Sequence, residues 1–459
     1  MATPDVTFAP LILPRSPSSV KENLSTPVTE KAKSARLPHG FPAAVDVPGA
    51  INSPAFASFM GKIEAKPISA SEPILDLVRE RVVAAGDEFD EAFYLIDLGR
   101  LARQTQLFQK LLPRVYPHYA IKCNPNPVLV QTLALFGVGF DCASAKEIQI
   151  AFDAGATPEQ IIYANPCKQV SALKYAAAHD VLVMTFDNFE ELNKVKAHHP
   201  NAHLVLRIAV DDSQSVCQFN TKFGARAVDI PRLLETAWSL DLNVVGISFH
   251  VGSGCGSVKP FADAIASARA IFDSAAAQGH PMHLLDIGGG FPGHVSTYQN
   301  NLTFENICAC VNGALDEHFP DGCGVRIIAE PGRYFVAASH TLVTTVIAKR
   351  NQPDVQPGQP SVAYYISEGV YGSFNCTVFD HYAVTANVVD AGKAAGAPVV
   401  SKLFGPTCDS IDCVIKSCPL PELHVGDKLY FENMGAYTTA AASHFNGFSI
   451  KGFNYYLSQ

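Results

Sequence analysis

The stretch Tyr116-Pro-His-Tyr-Ala-Ile-Lys-Cys-Asn-Pro125 begins with the first of eight short apolar runs that alternate with helix-length segments. The runs cover residues 116–121, 138–140, 160–164, 181–186, 203–209, 244–250, 283–287 and 325–329. Segments with helical spacing of apolar residues lie between them, and they include Ala145–Phe152, Val170–Ala178, Phe189–Ala197, Pro231–Leu240, Ala262–Ala277 and Phe304–His318. This alternation predicts an α/β fold in which crossover helices join parallel strands. Eight such units favour a (β/α)8 barrel of the TIM type, and a doubly wound open sheet is the alternative.

The segments on either side of the alternating region differ from it in composition. Residues 1–50 are rich in Pro, Ser, Thr and Ala, which predicts a disordered tail. Residues 51–97 end in the apolar run Phe93–Asp97 and are expected to contribute to a β domain. The barrel is expected over residues 98–339. Residues 340–459 carry β-branched and aromatic runs punctuated by Pro and Gly, which predicts a C-terminal, mainly β domain.

Composition excludes several classes of protein. The formal net charge is -9 and no basic stripe is present, which argues against binding of nucleic acid. No apolar run reaches the roughly 20 residues that a membrane-spanning helix needs. The 12 cysteines are scattered without a CxxC pair, so the sequence does not indicate a metal site. Reduced thiols and the lack of a secretory signal predict a cytoplasmic protein.

Lys122 stands where the first apolar run ends and a turn begins. A lysine in that place points its amine into a pocket, where desolvation is expected to lower its pKa and make it a nucleophile toward carbonyl carbons. A solvated surface charge is the alternative interpretation. The residues at other strand ends favour the first, because a barrel gathers its strand ends at one face. The ionisable residues at or near these ends are Lys122, Asp141, Arg207, His250, Asp286 and Glu330.

The turns after the seventh and eighth predicted strands indicate an anion site. Gly288-Gly289-Gly290 exposes backbone N–H groups to close approach, and Gly332-Arg333 adds a second donor-rich turn. Phosphate sites of these barrels commonly use these two loops. A lysine amine facing a phosphate site predicts pyridoxal 5'-phosphate as the cofactor. Glu330 beside the pyridine nitrogen would keep the ring protonated, which suits decarboxylation, and His250 could stack on the ring face.

A second constellation lies in the predicted β domain. Cys408 follows the tight turn Gly405-Pro406-Thr407, where its thiol could be exposed and donate a proton. Asp409 could bind the cationic end of a substrate, and Glu368 is another candidate for contacting the substrate. A solvated acidic turn with a buried thiol is the alternative interpretation.

The ordered series of motifs from about residue 90 onward resembles the eukaryotic ornithine decarboxylase family, in the alanine-racemase-like class of pyridoxal phosphate enzymes. The matching motifs are Tyr119-Ala-Ile-Lys-Cys-Asn124, Phe140-Asp-Cys-Ala-Ser144, Tyr163-Ala-Asn-Pro-Cys-Lys168, Phe249-His-Val-Gly-Ser-Gly-Cys255, Leu285-Asp-Ile-Gly-Gly-Gly-Phe-Pro-Gly293, Ala329-Glu-Pro-Gly-Arg-Tyr334, Gly405-Pro-Thr-Cys-Asp409 and Phe431-Glu-Asn-Met-Gly-Ala-Tyr437. The resemblance implies decarboxylation of a small basic amino acid, with ornithine and its product putrescine expected first, and so a step of polyamine biosynthesis.

The resemblance also implies roles for single residues. Lys122 matches the lysine that binds the cofactor covalently, Glu330 the partner of the pyridine nitrogen, and His250 the ring-stacking histidine. Cofactor contacts are further implied for Asp141, Arg207, Ser253, Gly289, Gly290, Arg333 and Tyr437. Cys408 is implied as the group that protonates Cα, and Asp409 as the group that binds the distal amine. Both would come from the partner subunit of a head-to-tail homodimer with shared active sites.

One position departs from the family pattern. Glu368 stands where the family typically has Asp, at a position expected to help hold the distal amine of the substrate. The longer side chain leaves lysine, arginine or a specialised diamino acid open as alternative substrates. A non-catalytic regulatory paralogue is a further alternative, and a racemase is disfavoured by the acidic Glu330.

Overall fold

The computed structural model describes residues 45–86, 89–293, 302–352, 361–390, 397–450 and 452–459. The predicted tail over residues 1–50 lies outside the described residues as far as residue 44. Its last residues form a short helix, Val47–Ile51, whose N-terminus is capped by the Asp46 carboxylate accepting the Gly49 N–H.

The described strands and helices are numbered in chain order. The strands are β1 (Lys66–Ile68), β2 (Phe93–Asp97), β3 (Val115–Ala120), β4 (Gly139–Cys142), β5 (Ile161–Tyr163), β6 (Val183–Phe186), β7 (His203–Arg207), β8 (Ser215–Cys217), β9 (Asn243–Ser248), β10 (Ser253–Cys255), β11 (Leu284–Asp286), β12 (Arg326–Ala329), β13 (His340–Asn351), β14 (Val362–Ile366), β15 (Asn387–Val388), β16 (Val399–Phe404), β17 (Cys413–Leu420), β18 (Lys428–Phe431) and β19 (Gly452–Ser458). The helices are α1 (Val47–Ile51), α2 (Pro54–Lys62), α3 (Ile74–Ala85), α4 (Leu98–Leu111), α5 (Pro127–Leu135), α6 (Ala145–Asp153), α7 (Val170–Ala178), α8 (Phe189–His198), α9 (Ile230–Ser239), α10 (Lys259–Ala277), α11 (Phe304–His318), α12 (Arg333–Val336) and α13 (Cys376–Phe379).

Eight parallel strands close into a barrel in the order β3-β4-β5-β6-β7-β9-β11-β12. The last strand pairs with the first, with Ile327 opposite Val115. Each of the eight predicted apolar runs overlaps one of these strands, and helices α6 to α11 occupy the predicted helical segments. The predicted barrel is therefore confirmed, and the open-sheet alternative is wrong.

The alternation of side chains along each strand determines which residues face inward at the mouth of the barrel. Five apolar residues from five different strands pack as one cluster, namely Ile162, Val205, Val245, Leu284 and Ile328. Side chains two positions apart on a strand point to the same face. The residues two positions beyond Val205, Leu284 and Ile328 are Arg207, Asp286 and Glu330. The interior cluster therefore fixes which side chains face inward at the carboxyl end of the barrel.

A second sheet of nine strands is formed by residues that precede the barrel in the chain and residues that follow it. Its main path is β1-β19-β2-β13-β14-β16-β17, and β18 pairs with both β13 and β15. Strand β2, which precedes the barrel, pairs antiparallel with β13, and β19 near the C-terminus runs parallel to β2. Helix α4 begins at Leu98 and β13 begins at His340, at the positions where the predicted domains meet. No helix among the described residues is long and apolar enough to span a membrane.

We expect Gly246→Ala to destabilise the barrel by about 1–3 kcal/mol, because an added methyl would overpack the contact between strands β9 and β11. A Cβ at Gly246 would lie 2.0 Å from the backbone oxygen of Leu284. The measurement is the thermal unfolding midpoint. Gly313→Ala on helix α11 is the matched control, because a Cβ there meets no atom within 4 Å and alanine favours a helix. Equal midpoints for wild type and Gly246→Ala would contradict the packing described.

Candidate active site

A cavity of about 430 Å³ opens at the carboxyl ends of the barrel strands. The structure brings to its wall the predicted residues Lys122, Arg207, His250, Ser253, Gly289, Gly290, Glu330, Arg333 and Tyr437. They come from distant parts of the chain, because each parallel strand delivers its own end to the same mouth.

Lys122 lies in a one-turn 3₁₀ helix directly after β3, and its amine forms an ion pair with the buried carboxylate of Asp141 at the end of β4. Its side chain is 41% exposed and lines the cavity. Burial acts to lower the pKa of Lys122, but the charges of Asp141 and Glu330 outweigh burial and raise it. The predicted lowering of the Lys122 pKa is therefore wrong, since the sequence did not show how many acids surround the amine.

Two further carboxyl groups lie close together at the barrel mouth. Asp286 accepts a hydrogen bond from the Gly288 N–H at 2.9 Å, and its other oxygen is buried beside Glu330. Burial, followed by the charges of Asp286 and Asp141, raises the pKa of Glu330. Oε1 of Glu330 is buried and has no hydrogen-bond partner among the described residues. A cationic N–H group in the cavity would satisfy that oxygen.

The glycine turn and Arg333 build a region suited to an anion. Gly290 has a φ of +96°, and a Cβ there would lie 2.8 Å from the Gly252 carbonyl oxygen, so only glycine fits. The guanidinium of the buried Arg333 contacts Ser253 Oγ at 3.3 Å and lies 5.0 Å from the ring centroid of Tyr437. Backbone N–H groups, a hydroxyl and a guanidinium therefore converge on one end of the cavity.

His250 presents a neutral imidazole to the cavity. Its Nδ1 accepts the Gly252 N–H at 3.0 Å, which leaves the proton on Nε2. Burial, followed by the positive charges of Arg207 and Lys122, lowers the pKa of His250. A Cβ at Gly289 would lie 2.8 Å from Nε2, so the missing side chain keeps the imidazole accessible.

The two predicted residues of the β domain do not line this cavity. Cys408 is exposed in the turn between β16 and β17, and its N–H donates to the Asn446 side-chain oxygen at 3.0 Å. Asp409 accepts a hydrogen bond from the Tyr371 hydroxyl at 2.5 Å. Within one chain, both residues therefore lie apart from Lys122.

Glu368 also lies outside the wall of this cavity, so within one chain its predicted contact with the substrate amine stays a prediction. Its Oε1 accepts the backbone N–H groups of Gly369 at 3.0 Å and Ser373 at 2.8 Å. The side chain is buried, and burial raises the pKa of Glu368 to about 7. Glu368 therefore holds a turn of its own chain together.

Asp380 is an acidic residue of the cavity wall that the sequence reasoning missed. Its Oδ1 lies 2.7 Å from Arg333 Nη2, and both side chains are almost fully buried. The two residues are 47 positions apart. The run Gly372-Ser-Phe-Asn-Cys376 before Asp380 has no strand or helix periodicity, so the sequence does not indicate that Asp380 faces the cavity.

Comparisons with known proteins agree with this geometry. Residues 98–337 match the family model described as pyridoxal-dependent decarboxylase, pyridoxal binding domain. The chain is 49% identical to ornithine decarboxylase of Mus musculus over 397 residues, which are 85% of both chains. It belongs to the pyridoxal-dependent decarboxylases. Antizyme inhibitor 2 of Xenopus laevis is also 49% identical, over 83% of this chain and 84% of that protein.

The fold of this decarboxylase is similar to that of a solved relative. The arginine decarboxylase of Paramecium bursaria Chlorella virus, bound to agmatine, superimposes with a TM-score of 0.77 at 36% identity. The match covers 83% of this chain and all of the viral chain. Family membership makes pyridoxal 5'-phosphate the cofactor of this decarboxylase. The cavity fits it, because an amine, a buried carboxyl oxygen in need of a donor and an anion-binding turn face the same space.

Glu368 gives this decarboxylase a pH-dependent stability that Glu368→Gln should remove. Its folded pKa of about 7 lies above the ordinary value of 4.5, so its stabilising contribution is complete below pH 4.5 and is lost as pH rises through 7. The shift corresponds to about 3 kcal/mol. Gln keeps an oxygen for the two N–H groups, so Glu368→Gln should unfold at a higher temperature than wild type at pH 8, and the difference should shrink toward pH 5. A constant difference across this range would contradict the assignment.

Proposed function

We propose that the protein catalyses the decarboxylation of L-ornithine to putrescine, a step of polyamine biosynthesis in the cytoplasm. The observation that carries the proposal is the placement of Lys122 and Glu330 on one cavity whose far end is suited to phosphate. The ornithine decarboxylase of Mus musculus, at 49% identity, makes ornithine the first choice among basic amino acids.

Pyridoxal 5'-phosphate supplies an electron sink for the electron pair that carbon dioxide leaves at Cα. Lys122 is the residue that would bind it covalently, and Glu330 the residue that would accept a hydrogen bond from its ring nitrogen. Asp141 holds the Lys122 amine in place through their ion pair. The phosphate would be held by Gly289, Gly290, Ser253, Arg333 and Tyr437, with His250 against the ring face and Arg207 beside it.

The distal ammonium of ornithine needs an acid, and Asp380 is the residue of this chain that is placed to provide it. Asp380 lines the cavity, whereas Glu368 does not. Its ion pair with Arg333 holds the carboxylate at the cavity wall at 2.7 Å. We propose that Asp380 and the partner subunit's Asp409 share the ammonium, so that the Asp-to-Glu change at position 368 does not alter the preferred chain length.

We propose a head-to-tail homodimer in which Cys408 and Asp409 of one subunit enter the cavity of the other. Both lie outside their own cavity, next to exposed apolar side chains that a partner would cover. Ile411 is 66% exposed, Phe445 is 42% exposed, and Phe379 at the cavity wall is 71% exposed. In such a dimer the Cys408 thiol would deliver the proton to Cα after carbon dioxide leaves.

A regulatory protein without catalytic activity is the second candidate, favoured by the relative named antizyme inhibitor 2. The chain keeps the lysine, the acid and the glycine turn that the chemistry needs, which supports the enzyme instead. Arginine decarboxylation is suggested by the viral structure, and lysine or a specialised diamino acid are further alternatives.

The substrate proposal predicts the release of carbon dioxide from ornithine by the purified protein loaded with pyridoxal phosphate. We expect kcat/KM for ornithine to exceed that for lysine at least about tenfold, since one methylene in a fitted pocket is worth about 1–3 kcal/mol, and the larger guanidinium of arginine should be disfavoured as well. Lys122→Ala should release none. A preference for lysine or arginine would refute ornithine and leave the decarboxylase standing. Cofactor binding without release from any basic amino acid would favour the regulatory protein.

Shared active sites predict that two inactive variants restore activity to each other. Random exchange between Lys122→Ala and Cys408→Ala gives hybrids in half of the dimers, each with one intact site, so about a quarter of wild-type activity should return. The matched control mixes Lys122→Ala with Glu330→Gln, which alter the same cavity and should give no recovery. Activity that fails to return despite subunit exchange would mean that Cys408 serves its own chain.

A further inference from the structure

An arch of residues 209–224 leaves the barrel after β7 and returns before α9, forming one wall of the cavity. Cys217, Phe219 and Phe223 of the arch line the cavity. The Ala209 N–H donates to the Ala225 carbonyl at 2.9 Å, and the Ala225 N–H donates to the Arg207 carbonyl at 2.8 Å. These bonds close the base of the arch, so its position is set relative to the barrel strands.

Asp212 is a buried acid inside the arch that the proposed chemistry does not use. Its side chain is 7% exposed, and its Oδ2 accepts two backbone N–H groups, from Phe219 at 2.5 Å and from Asn220 at 3.0 Å. Its backbone oxygen accepts the Ser215 N–H at 2.9 Å. The Asp212 carboxylate therefore links the start of the arch to residues seven and eight positions later, through hydrogen bonds that its charge strengthens.

The arch touches the cavity residues through Phe219. The Phe219 ring meets the His250 ring edge-on, with centroids 4.9 Å apart and an interplanar angle of 76°. Strand β8 of the arch also pairs with β10, and the Ser215 hydroxyl donates to the Val251 carbonyl at 2.6 Å. The arch and the turn from His250 to Ser253 are thus joined as one unit.

We propose that Asp212 is a positioning residue, which holds Phe219 against His250 and thereby fixes the face of the cavity on which the cofactor ring lies. The inference rests on the proposed function only in taking the cavity as the cofactor site. The Asp212 carboxylate accepts the backbone N–H of Phe219, and the ring of that same residue contacts the imidazole of His250. Loss of the carboxylate would release the N–H groups of Phe219 and Asn220 and let the ring leave His250.

The neighbouring residue provides a matched control. Asp211 is exposed, and its carboxylate accepts the Ser213 N–H at 3.0 Å, so its hydrogen bonding stays within its own turn. Asp212→Ala removes the acceptor, whereas Asp212→Asn keeps one oxygen for the same two N–H groups. Asp211→Ala removes an acid from the same turn and leaves the hydrogen bonds of Asp212 to Phe219 and Asn220 in place. Phe219→Leu breaks the contact with His250 while leaving the hydrogen bonds of the arch intact.

The test measures the dissociation constant of pyridoxal phosphate and the visible circular dichroism of the bound cofactor, with the thermal midpoint as the measure of stability. For Asp212→Ala we expect the dissociation constant to rise about tenfold and the dichroism to weaken, as for loss of one charge-assisted hydrogen bond. Asp212→Asn should stay within about threefold of wild type, and Asp211→Ala should match it. Phe219→Leu should change the dichroism as Asp212→Ala does.

Two results would overturn the proposal. One is an Asp212→Ala protein with a lower thermal midpoint but wild-type cofactor affinity and dichroism, which would mean that the hydrogen bonds of Asp212 only stabilise the arch. The other is a Phe219→Leu protein indistinguishable from wild type, which also decides the question if Asp212→Ala does not fold. Neither readout requires turnover, so a wrong substrate would not be mistaken for failure of this inference.

Discussion

The Lys122 amine forms an ion pair with Asp141 at a barrel mouth that also holds the carboxyl groups of Asp286 and Glu330, and the rest of the site depends on this cluster of acids. Asp141, Asp286 and Glu330 each keep one buried oxygen without a hydrogen-bond partner among the described residues. Buried carboxylates without partners are costly, and a cation in the cavity would offset that cost. The protonated pyridine ring of the cofactor would supply that cation. The charges of Asp141 and Glu330 also raise the pKa of Lys122, so these two acids favour positive charge at the site, including the protonated form of the amine.

The barrel was predictable because its signal is local and repeats. Each apolar run has the length of a strand, each interval has the length of a helix, and the carboxyl ends of parallel strands must meet. That reasoning placed Lys122, Glu330 and His250 on one rim. It could not give the pKa of Lys122, which depends on pairing between strands: β3 and β4 align Ala120 with Asp141, and this register places the acid beside the lysine.

The residues that the sequence misassigned belong to irregular segments. Glu368 and Asp380 lie 12 positions apart, on either side of a 3₁₀ turn and helix α13. No period tells which of two acids in such a segment faces a cavity. Asp412 illustrates the same point: it accepts the Val370 N–H at 2.7 Å and the Thr407 hydroxyl at 2.6 Å, and so joins two loops that the sequence shows only as polar turns. These joined loops present Cys408 and Asp409 on the surface.

The side chain of Glu368 is accommodated by the absence of a side chain at Gly372. A Cβ at Gly372 would lie 1.7 Å from Oε1 of Glu368, so the longer carboxylate occupies the space that a side chain at position 372 would need. Its oxygen is already engaged by two backbone N–H groups and cannot swing toward the cavity without breaking both. On our proposal, Asp380 contributes to selection for substrate length, and its ion pair with Arg333 holds it near the end of the cavity suited to an anion. Recognition of the distal amine and anchoring of the cofactor would then be linked through one buried arginine.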